Sequence, residues 1–143
     1  MKIHQLSLFL ENIPGQVHGV CRTLKDAGID IRALCVADAS EFGILRLIVS
    51  NWRAAADVLS ASGNIVNTTE VLAVEAPDRP GGLIEFLDVL ERGGVNIDYM
   101  YTQTFGQSGR AVLICRFDNI DRAIECLDGS GINVVAPVDV YRP

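Results

Sequence analysis

Apolar and polar residues follow two successive periods at the start of the chain. From Ile3 to Leu10 they alternate, with three leucines on one side, as in a strand with one buried face. The next segment changes to the spacing i, i+3, i+4, i+7, which predicts a helix from about Pro14 to Ala27 that ends at Gly28. The apolar positions of that helix are Val17, Val20, Cys21 and Leu24.

Four further elements follow in the first half of the chain. "IDIRALCVAD" and "GILRLIVS" predict strands, "NWRAAADVLSAS" predicts a helix capped by Asn51, and "NIVNTT" predicts a short strand. The predicted order is therefore β-α-β-β-α-β.

The second half repeats the first. Pro14-Gly15 aligns with Pro80-Gly81 at an offset of 66, and Gly28 aligns with Gly94. After an insertion of two residues around "TFGQSGR" the offset becomes 68. The matching segments are "EVLAVEA", "PGGLIEFLDVLERG", "VNIDYMYTQT", "RAVLICRF", "NIDRAIECLDGS" and "INVVAPVDVY". We expect two domains, residues 1–69 and 70–143.

The element order predicts an α+β fold of two ferredoxin-like βαββαβ units, with antiparallel sheets and the helices on one face. The other face of each sheet is then uncovered within its repeat. Because the strands are too apolar for a fully solvated face, we expect sheets extended edge to edge within the chain and two chains associated as a homodimer.

Charge and composition exclude some classes of function. The net charge of −6 and the pI near 4.8 disfavour nucleic acid, whose phosphates would be repelled. The apolar run at the N-terminus is broken by polar residues and reaches Glu11 too soon for a signal peptide or membrane span. We therefore expect a cytoplasmic protein that binds neither nucleic acid nor membrane.

The chemistry-bearing side chains form no recognisable catalytic or metal-binding pattern. The cysteines show no metal-site spacing, and the histidines lack a carboxylate or cysteine partner at a meaningful spacing, so we expect reduced core thiols and neither metal nor cofactor. Phosphate loops of the GxxxxGK type, GxSxG elbows and HExxH motifs are absent from the sequence. The sequence thus favours a protein that is not an enzyme.

The repeated turns resemble those of ACT domains. Each copy has a D/N-x-P-G turn that opens the first helix and a G-[IV]-[DN]-I step into the second strand: "PDRPGGL…GGVNI" and "ENIPGQV…GIDI". The first copy carries Asn12 where the second has Asp78. The resemblance covers nearly the whole chain and implies that it binds an amino acid or similar ligand at interfaces between ACT units and regulates a partner metabolic enzyme.

The turn residues suit a carboxylate ligand. Pro80 fits the first turn of a helix, and Gly81 and Gly82 leave their N–H groups uncovered by side chains, at the positive end of the helix dipole. Asp78 either accepts hydrogen bonds from an α-ammonium group or is a helix cap or turn residue, while Asn12 can accept without charge. We expect Arg79 to be a turn residue whose side chain is exposed to solvent.

The resemblance implies that the wall opposite the turn comes from the end of the second strand in a neighbouring unit, residues 34–37 and 99–102. Tyr99 and Tyr101 are alternatively packing aromatics at an interface. The mostly apolar lining favours a ligand with an uncharged side chain. The predicted ligand contacts are Asn12, Ile13, Pro14, Gly15, Gln16, Leu34, Cys35, Val36, Asp78, Arg79, Pro80, Gly81, Gly82, Leu83, Tyr99, Met100 and Tyr101.

Two other functions compete with ligand binding. A regulatory subunit could dock on an amino-acid biosynthetic enzyme through its sheets without binding a ligand itself. A small enzyme of ferredoxin-like fold is the other alternative, but it lacks a recognisable acid, base or nucleophile.

Overall fold

The computed structural model describes residues 1–103 and 109–142. The chain forms two compact units. The N-terminal unit contains His4–Thr69 and the C-terminal residues from Tyr141 onward, and the C-terminal unit contains Glu70–Val140 and Met1–Ile3. Most of the predicted insertion around "TFGQSGR" lies outside the described residues.

The N-terminal unit has the predicted element order. Its elements are β1 (Ile3–Glu11), α1 (Gln16–Asp26), β2 (Ile31–Ala39), β3 (Phe42–Val49), α2 (Trp52–Ala61) and the first residues of β4 (Val66–Pro77). Strand β3 pairs antiparallel with β1 on one side and with β2 on the other. Helix α1 begins two residues later than predicted, because Pro14 and Gly15 belong to the preceding turn.

The core of the N-terminal unit lies between its sheet and its two helices. Leu8 of β1 stands opposite Leu45 of β3, and directly opposed residues of an antiparallel pair share one face. The alternation predicted for the first strand is confirmed, because its leucines are buried while Phe9 is exposed. The buried cluster contains Leu6, Leu8, Leu10, Val20, Leu24, Ile29, Leu45, Leu47, Val49, Ala55 and Leu59.

The C-terminal unit repeats this plan. It contains residues 70–77 of β4, then α3 (Gly82–Arg92), β5 (Ile97–Thr102), β6 (Arg110–Phe117), α4 (Ile120–Leu127) and α5 (Pro137–Tyr141, whose last residue belongs to the N-terminal unit). Strand β6 pairs antiparallel with β4 and with β5. Its core contains Leu72, Val74, Ala76, Phe86, Leu90, Val95, Leu113, Cys115, Phe117, Ala123 and Leu127. The predicted α+β fold of two ferredoxin-like units is confirmed.

Local signals set the helix ends in both units. Asn51 accepts a hydrogen bond from the N–H of Ala54, as predicted, and Asn119 does the same for Arg122 in the C-terminal unit. Gly28 and Gly94 follow the first helix of each unit at φ 70° and 68°, a left-handed conformation that glycine adopts at little cost.

Two predicted strands differ from the structure. "NIVNTT" and "EVLAVEA" were expected as separate strands but form the single strand β4. The prediction of a last strand over "INVVAPVDVY" is wrong. This segment forms a single β-bridge, between Val134 and Val74, and then continues as helix α5. Pro137 explains the change, because proline has no N–H for the sheet ladder and its fixed φ suits the first turn of a helix.

The cysteines are less uniformly buried than predicted. All four are free thiols, but only Cys115 is a core residue, while Cys21, Cys35 and Cys126 are partly exposed. Burial raises the pKa of Cys115 to about 12. Cys115 is therefore held as an uncharged apolar side chain.

Part of each open sheet face is buried within the single chain. Ile48 stands on the side of β3 away from the helices, and Ala73 and Ile114 stand directly opposite each other on the corresponding side of β4 and β6. All three residues are fully buried. A second chain is not required to cover these three residues, whereas Phe9 and Phe42 remain exposed.

The C-terminal Tyr141 is bound to the start of β1. Its hydroxyl oxygen accepts a hydrogen bond of 2.7 Å from the N–H of His4, whose ring stacks on Trp52 with centroids 4.3 Å apart. Burial raises the pKa of Tyr141, which keeps the phenol neutral well beyond physiological pH. The contact ties residues 137 apart in sequence and satisfies a partly buried backbone donor.

We predict that Tyr141→Phe destabilises the protein by about 1 to 2 kcal/mol, because the N–H of His4 loses its acceptor in a partly buried setting. The melting temperature should fall on the order of 5 °C, measured by circular dichroism. Val138→Ala in the same helix is the matched control, since Val138 is exposed and its truncation should cost less than about 0.5 kcal/mol. Equal stability of Tyr141→Phe and wild type would contradict the role of this hydrogen bond.

Candidate functional site

Two matching turns connect a strand to the first helix of each unit. The N-terminal turn is residues 12–15, between β1 and α1, and the C-terminal turn is residues 78–81, between β4 and α3. Gly15 and Gly81 occupy the N-cap positions at φ 91° and 82°, and neither helix start has a side-chain cap. Glycine suits this left-handed position, and its missing side chain leaves the helix start open.

Both helix starts present backbone donors. Within the described residues, the N–H groups of Gly15 and Val17 meet no acceptor, and neither do those of Gly81 and Leu83 at the matching positions. Gly82 differs from the prediction, because its N–H donates to the carbonyl oxygen of Arg79 at 2.9 Å. The donors available at the C-terminal turn are therefore those of Gly81 and Leu83 rather than those of both glycines.

The N-terminal turn lies against the hairpin between β2 and β3. The N–H of Asn12 donates to the carbonyl of Glu41 at 2.9 Å, and its side-chain amide donates to the carbonyl of Ser40 at 3.4 Å. Ser40 has a φ of 60°, which is uncommon for a residue other than glycine. Ser40 and Glu41 were not among the predicted site residues, because a polar pair between two apolar strands indicates a connection but not what that connection contacts.

The C-terminal turn is built differently. The N–H of Asp78 donates to the carbonyl of Gly109 at 3.1 Å. Its carboxylate is exposed and does not cap α3, so the capping alternative is not observed. Arg79, expected to be solvated, donates to Glu85 at 2.7 Å in an ion pair whose partners are both more than half exposed. This pair places one positive and one negative charge beside the turn.

Gly82 is required for packing. It is buried, and a Cβ added to it would overlap the carbonyl oxygen of Pro77. Gly15 and Gly81 face open space instead, with no atom within 4 Å of an added Cβ. Gly82 therefore holds α3 close to the end of β4, whereas Gly15 and Gly81 supply the left-handed turn.

The predicted strand-end residues lie on two different faces. Leu34 and Val36 stand opposite the core residues Leu47 and Leu45, on the helix side of the sheet, yet both are exposed. Met100 of β5 likewise stands opposite a core residue, Cys115, and so lies on the helix side of its sheet. On the other side of their strands are Cys35, opposite Arg46, and Tyr99 and Tyr101, opposite Arg116 and Ile114.

The arrangement suits binding better than catalysis. Open N–H donors at a helix start attract an anion, and the neighbouring Asp78 carboxylate attracts a cation. Within the described ranges, no group of three His, Cys, Asp or Glu side chains is placed to hold a metal ion. Among the same residues, no helix is long and apolar enough to cross a membrane.

Comparison with known families identifies the family of this chain. The family model described as an ACT domain pair matches residues 1–141. The chain belongs to this family. ACT domains are regulatory rather than catalytic modules. No curated protein matches the chain significantly.

Solved structures share the fold of this ACT domain pair. Protein BT0572 from Bacteroides thetaiotaomicron is 37% identical, with a TM-score of 0.94 over 100% of this chain and 98% of its own. The regulatory subunit of aspartate kinase from Thermus thermophilus is 14% identical, with a TM-score of 0.67 over 92% of this chain and 95% of its own. Its counterpart from Thermus flavus is 13% identical, with a TM-score of 0.62 over 91% and 95%. At these low identities, the two Thermus proteins show a common fold.

We predict that Gly82→Ala lowers the free energy of unfolding by about 1 to 3 kcal/mol, because the new methyl group must displace the backbone at Pro77. Gln16→Ala is the matched control at the equivalent position of α1, and it should change the free energy by less than about 0.5 kcal/mol. Urea denaturation followed by circular dichroism measures both. If Gly82→Ala is as stable as Gln16→Ala, the close approach of α3 to β4 is not as described.

Proposed function

We propose that this ACT domain pair is an amino-acid-binding regulatory module without a catalytic domain of its own. The observation that carries the proposal is the pair of glycine-capped helix starts, each with open N–H donors and a polar side chain at the first turn position. Residues 1–69 and 70–143 are the proposed ACT domains, and each contributes one turn. The proposed ligand contacts are the predicted turn and strand-end residues, with Gly82 in a supporting role.

The ligand carboxylate is the group that the helix starts are suited to bind. The N–H groups of Gly15 and Val17 lie at the positive end of the α1 dipole, and those of Gly81 and Leu83 lie at that of α3. A carboxylate there would satisfy donors that otherwise depend on water. Because the N-cap residues have no side chain, the ligand can approach the backbone closely.

The α-ammonium group distinguishes the two turns. Asp78 offers an exposed carboxylate that can make charge-assisted hydrogen bonds, whereas Asn12 offers one neutral amide oxygen while its amide nitrogen donates to Ser40. The C-terminal turn is therefore the proposed stronger site for a zwitterionic ligand. The N-terminal turn would hold a carboxylate with less dependence on the ammonium.

The apolar strand ends supply the proposed opposite wall. Leu34, Val36 and Met100 are exposed on strands that, in the described part of the chain, pair on one side with β3 or β6. Such side chains, contributed by a neighbouring ACT unit, would contact the ligand side chain. An uncharged and aliphatic ligand fits this lining best.

The proposed setting is a cytoplasmic homodimer that acts on a separate metabolic enzyme. The turns and their open donors require no catalytic group, and the ACT family supports a regulatory role. Binding energy at the turns would be transmitted to a partner only if the ligand favours one arrangement of the assembly.

A second candidate is a regulatory subunit that docks on an amino-acid biosynthetic enzyme without binding a ligand. Three exposed apolar residues favour it: Phe9, Ile13 and Phe42 lie at one end of the N-terminal unit, where Phe42 stands opposite Glu11. Two structural neighbours are themselves named regulatory subunits of aspartate kinase. This candidate predicts an apolar contact with a protein rather than stabilisation by an amino acid.

We predict that at least one common amino acid stabilises the wild-type protein in a thermal-shift panel. At about 100 times its dissociation constant a ligand adds roughly 2.7 kcal/mol, which raises the melting temperature by about 3 to 6 °C. The double variant Gly15→Val/Gly81→Val should lose the shift, because the side chains cover the donors and strain the left-handed turn. An absence of shift with every amino acid would reject ligand binding and leave the docking candidate.

We predict that Asp78→Asn weakens binding of the identified amino acid by about tenfold but changes binding of its desamino carboxylate little, because only the amino acid carries an ammonium. Asn12→Asp is the matched reverse change and should strengthen amino-acid binding at the N-terminal turn. Isothermal titration calorimetry measures both. Equal loss for both ligands in Asp78→Asn would reject the ammonium contact.

A further inference from the structure

The outer faces of α1 and α3 carry opposite charges at matching positions. At the repeat offset of 66, Arg22 aligns with Asp88 and Lys25 aligns with Glu91. Both pairs belong to stripes with the spacing i, i+3, i+4, i+7, which places each stripe on one side of its helix. The basic stripe is His18, Cys21, Arg22 and Lys25, and the acidic stripe is Ile84, Leu87, Asp88 and Glu91.

The charged residues of both stripes are exposed to solvent, whereas Leu87 of the acidic stripe packs against the core of its unit. The core residues of α1 are Val20 and Leu24, and those of α3 include Phe86 and Leu90, all on other sides of the helices. All four charged stripe residues are exposed, while Cys21 and Leu87 are partly buried. Each stripe thus has a partly covered apolar position flanked by charge.

The charged residues of the stripes form no ion pair in the described part of the chain, although Asp26 and Arg92 follow Arg22 and Asp88 by four residues. The ion pairs found there do not use Arg22, Lys25, Asp88 or Glu91. Within each stripe the two charges have the same sign at the spacing i, i+3, which is unfavourable in an isolated helix. An oppositely charged surface would remove this repulsion.

The reversal extends to a third position. Asp26, beside the basic stripe, aligns with Arg92, beside the acidic stripe. Both stripes also border surface depressions, one lined in part by His18 and Lys25 and the other by Asp88 and Arg92. Three charge reversals at equivalent positions make the two faces complementary to each other.

We propose that a second copy of this chain docks with its acidic stripe on the basic stripe of the first. In a twofold dimer the contact occurs twice, α1 of each copy against α3 of its partner, so that both stripes of both copies are used. The inference rests on the homodimer of the proposed function and identifies its interface. Charge complementarity selects the α1 to α3 pairing, because α1 to α1 and α3 to α3 contacts place like charges together.

The test combines two charge-reversed variants. Arg22→Asp/Lys25→Glu makes both stripes acidic, and Asp88→Arg/Glu91→Lys makes both basic. Each variant alone should dimerise at least about tenfold more weakly than wild type in sedimentation velocity, since opposed like charges are repulsive. An equimolar mixture of the two should form a heterodimer near wild-type affinity, and the variant with all four changes should again form a homodimer.

Two controls separate the interface from general effects. Glu41→Lys/Asp128→Arg changes the net charge as much as the second variant but lies outside both stripes, so its dimerisation should match wild type. Circular dichroism checks that each variant is folded. If a reversal unfolds the chain, Arg22→Gln/Lys25→Gln and Asp88→Asn/Glu91→Gln replace the pair, and each should still weaken the dimer.

The outcomes distinguish the interface from the function. Recovery of the dimer in the mixture and in the fourfold variant supports the pairing. Two variants that dimerise as tightly as wild type, or that weaken without recovery, overturn the interface while leaving the homodimer and ligand binding intact. A monomeric wild type overturns both the interface and the homodimer, and thermal shifts by an amino acid then decide ligand binding separately.

Discussion

The packing of two amphipathic helices against one face of a small antiparallel sheet is the interaction on which each unit depends. Leucines of β1 and β3 stand opposite each other beneath α1 and α2, and the same positions recur in β4 and β6. Burying these side chains supplies the main favourable term in folding. It also determines which parts of each unit stay on the surface. These are the open ends of the strand-to-helix turns, the edge strands and the outer faces of the helices.

The strand-to-helix turn is needed for the fold and is also the proposed binding site. Within four residues the chain must leave the sheet and begin a helix on top of it, and a glycine at positive φ makes that possible. The same glycine exposes the N–H groups of the helix start. In the proposed function, a feature required by the fold thus also serves as a carboxylate site, and Asp78 or Asn12 adds selectivity beside it.

The repeat made most of the fold predictable, because each apolar period was seen twice and in the same order. The failures have local causes. Pro137 ended the last predicted strand, and the N–H of Gly82, predicted to be open, donates to the carbonyl of Arg79 instead. The role of Ser40 depends on a hairpin meeting a turn 28 residues away, a contact that periodicity does not encode. The opposite charges of α1 and α3 can be seen in the sequence. Their use as a proposed interface could not be predicted, because the sequence alone does not show which helix faces are exposed.

The central claim, that a small carboxylate ligand binds at the helix starts, is tested most directly by amide chemical shifts in ¹⁵N-labelled protein titrated with the stabilising amino acid. The account predicts the largest changes at the N–H groups of Gly81 and Leu83, with smaller or later changes at Gly15 and Val17. Saturable changes confined to the helix C-termini, near Gly28 and Gly94, would contradict it.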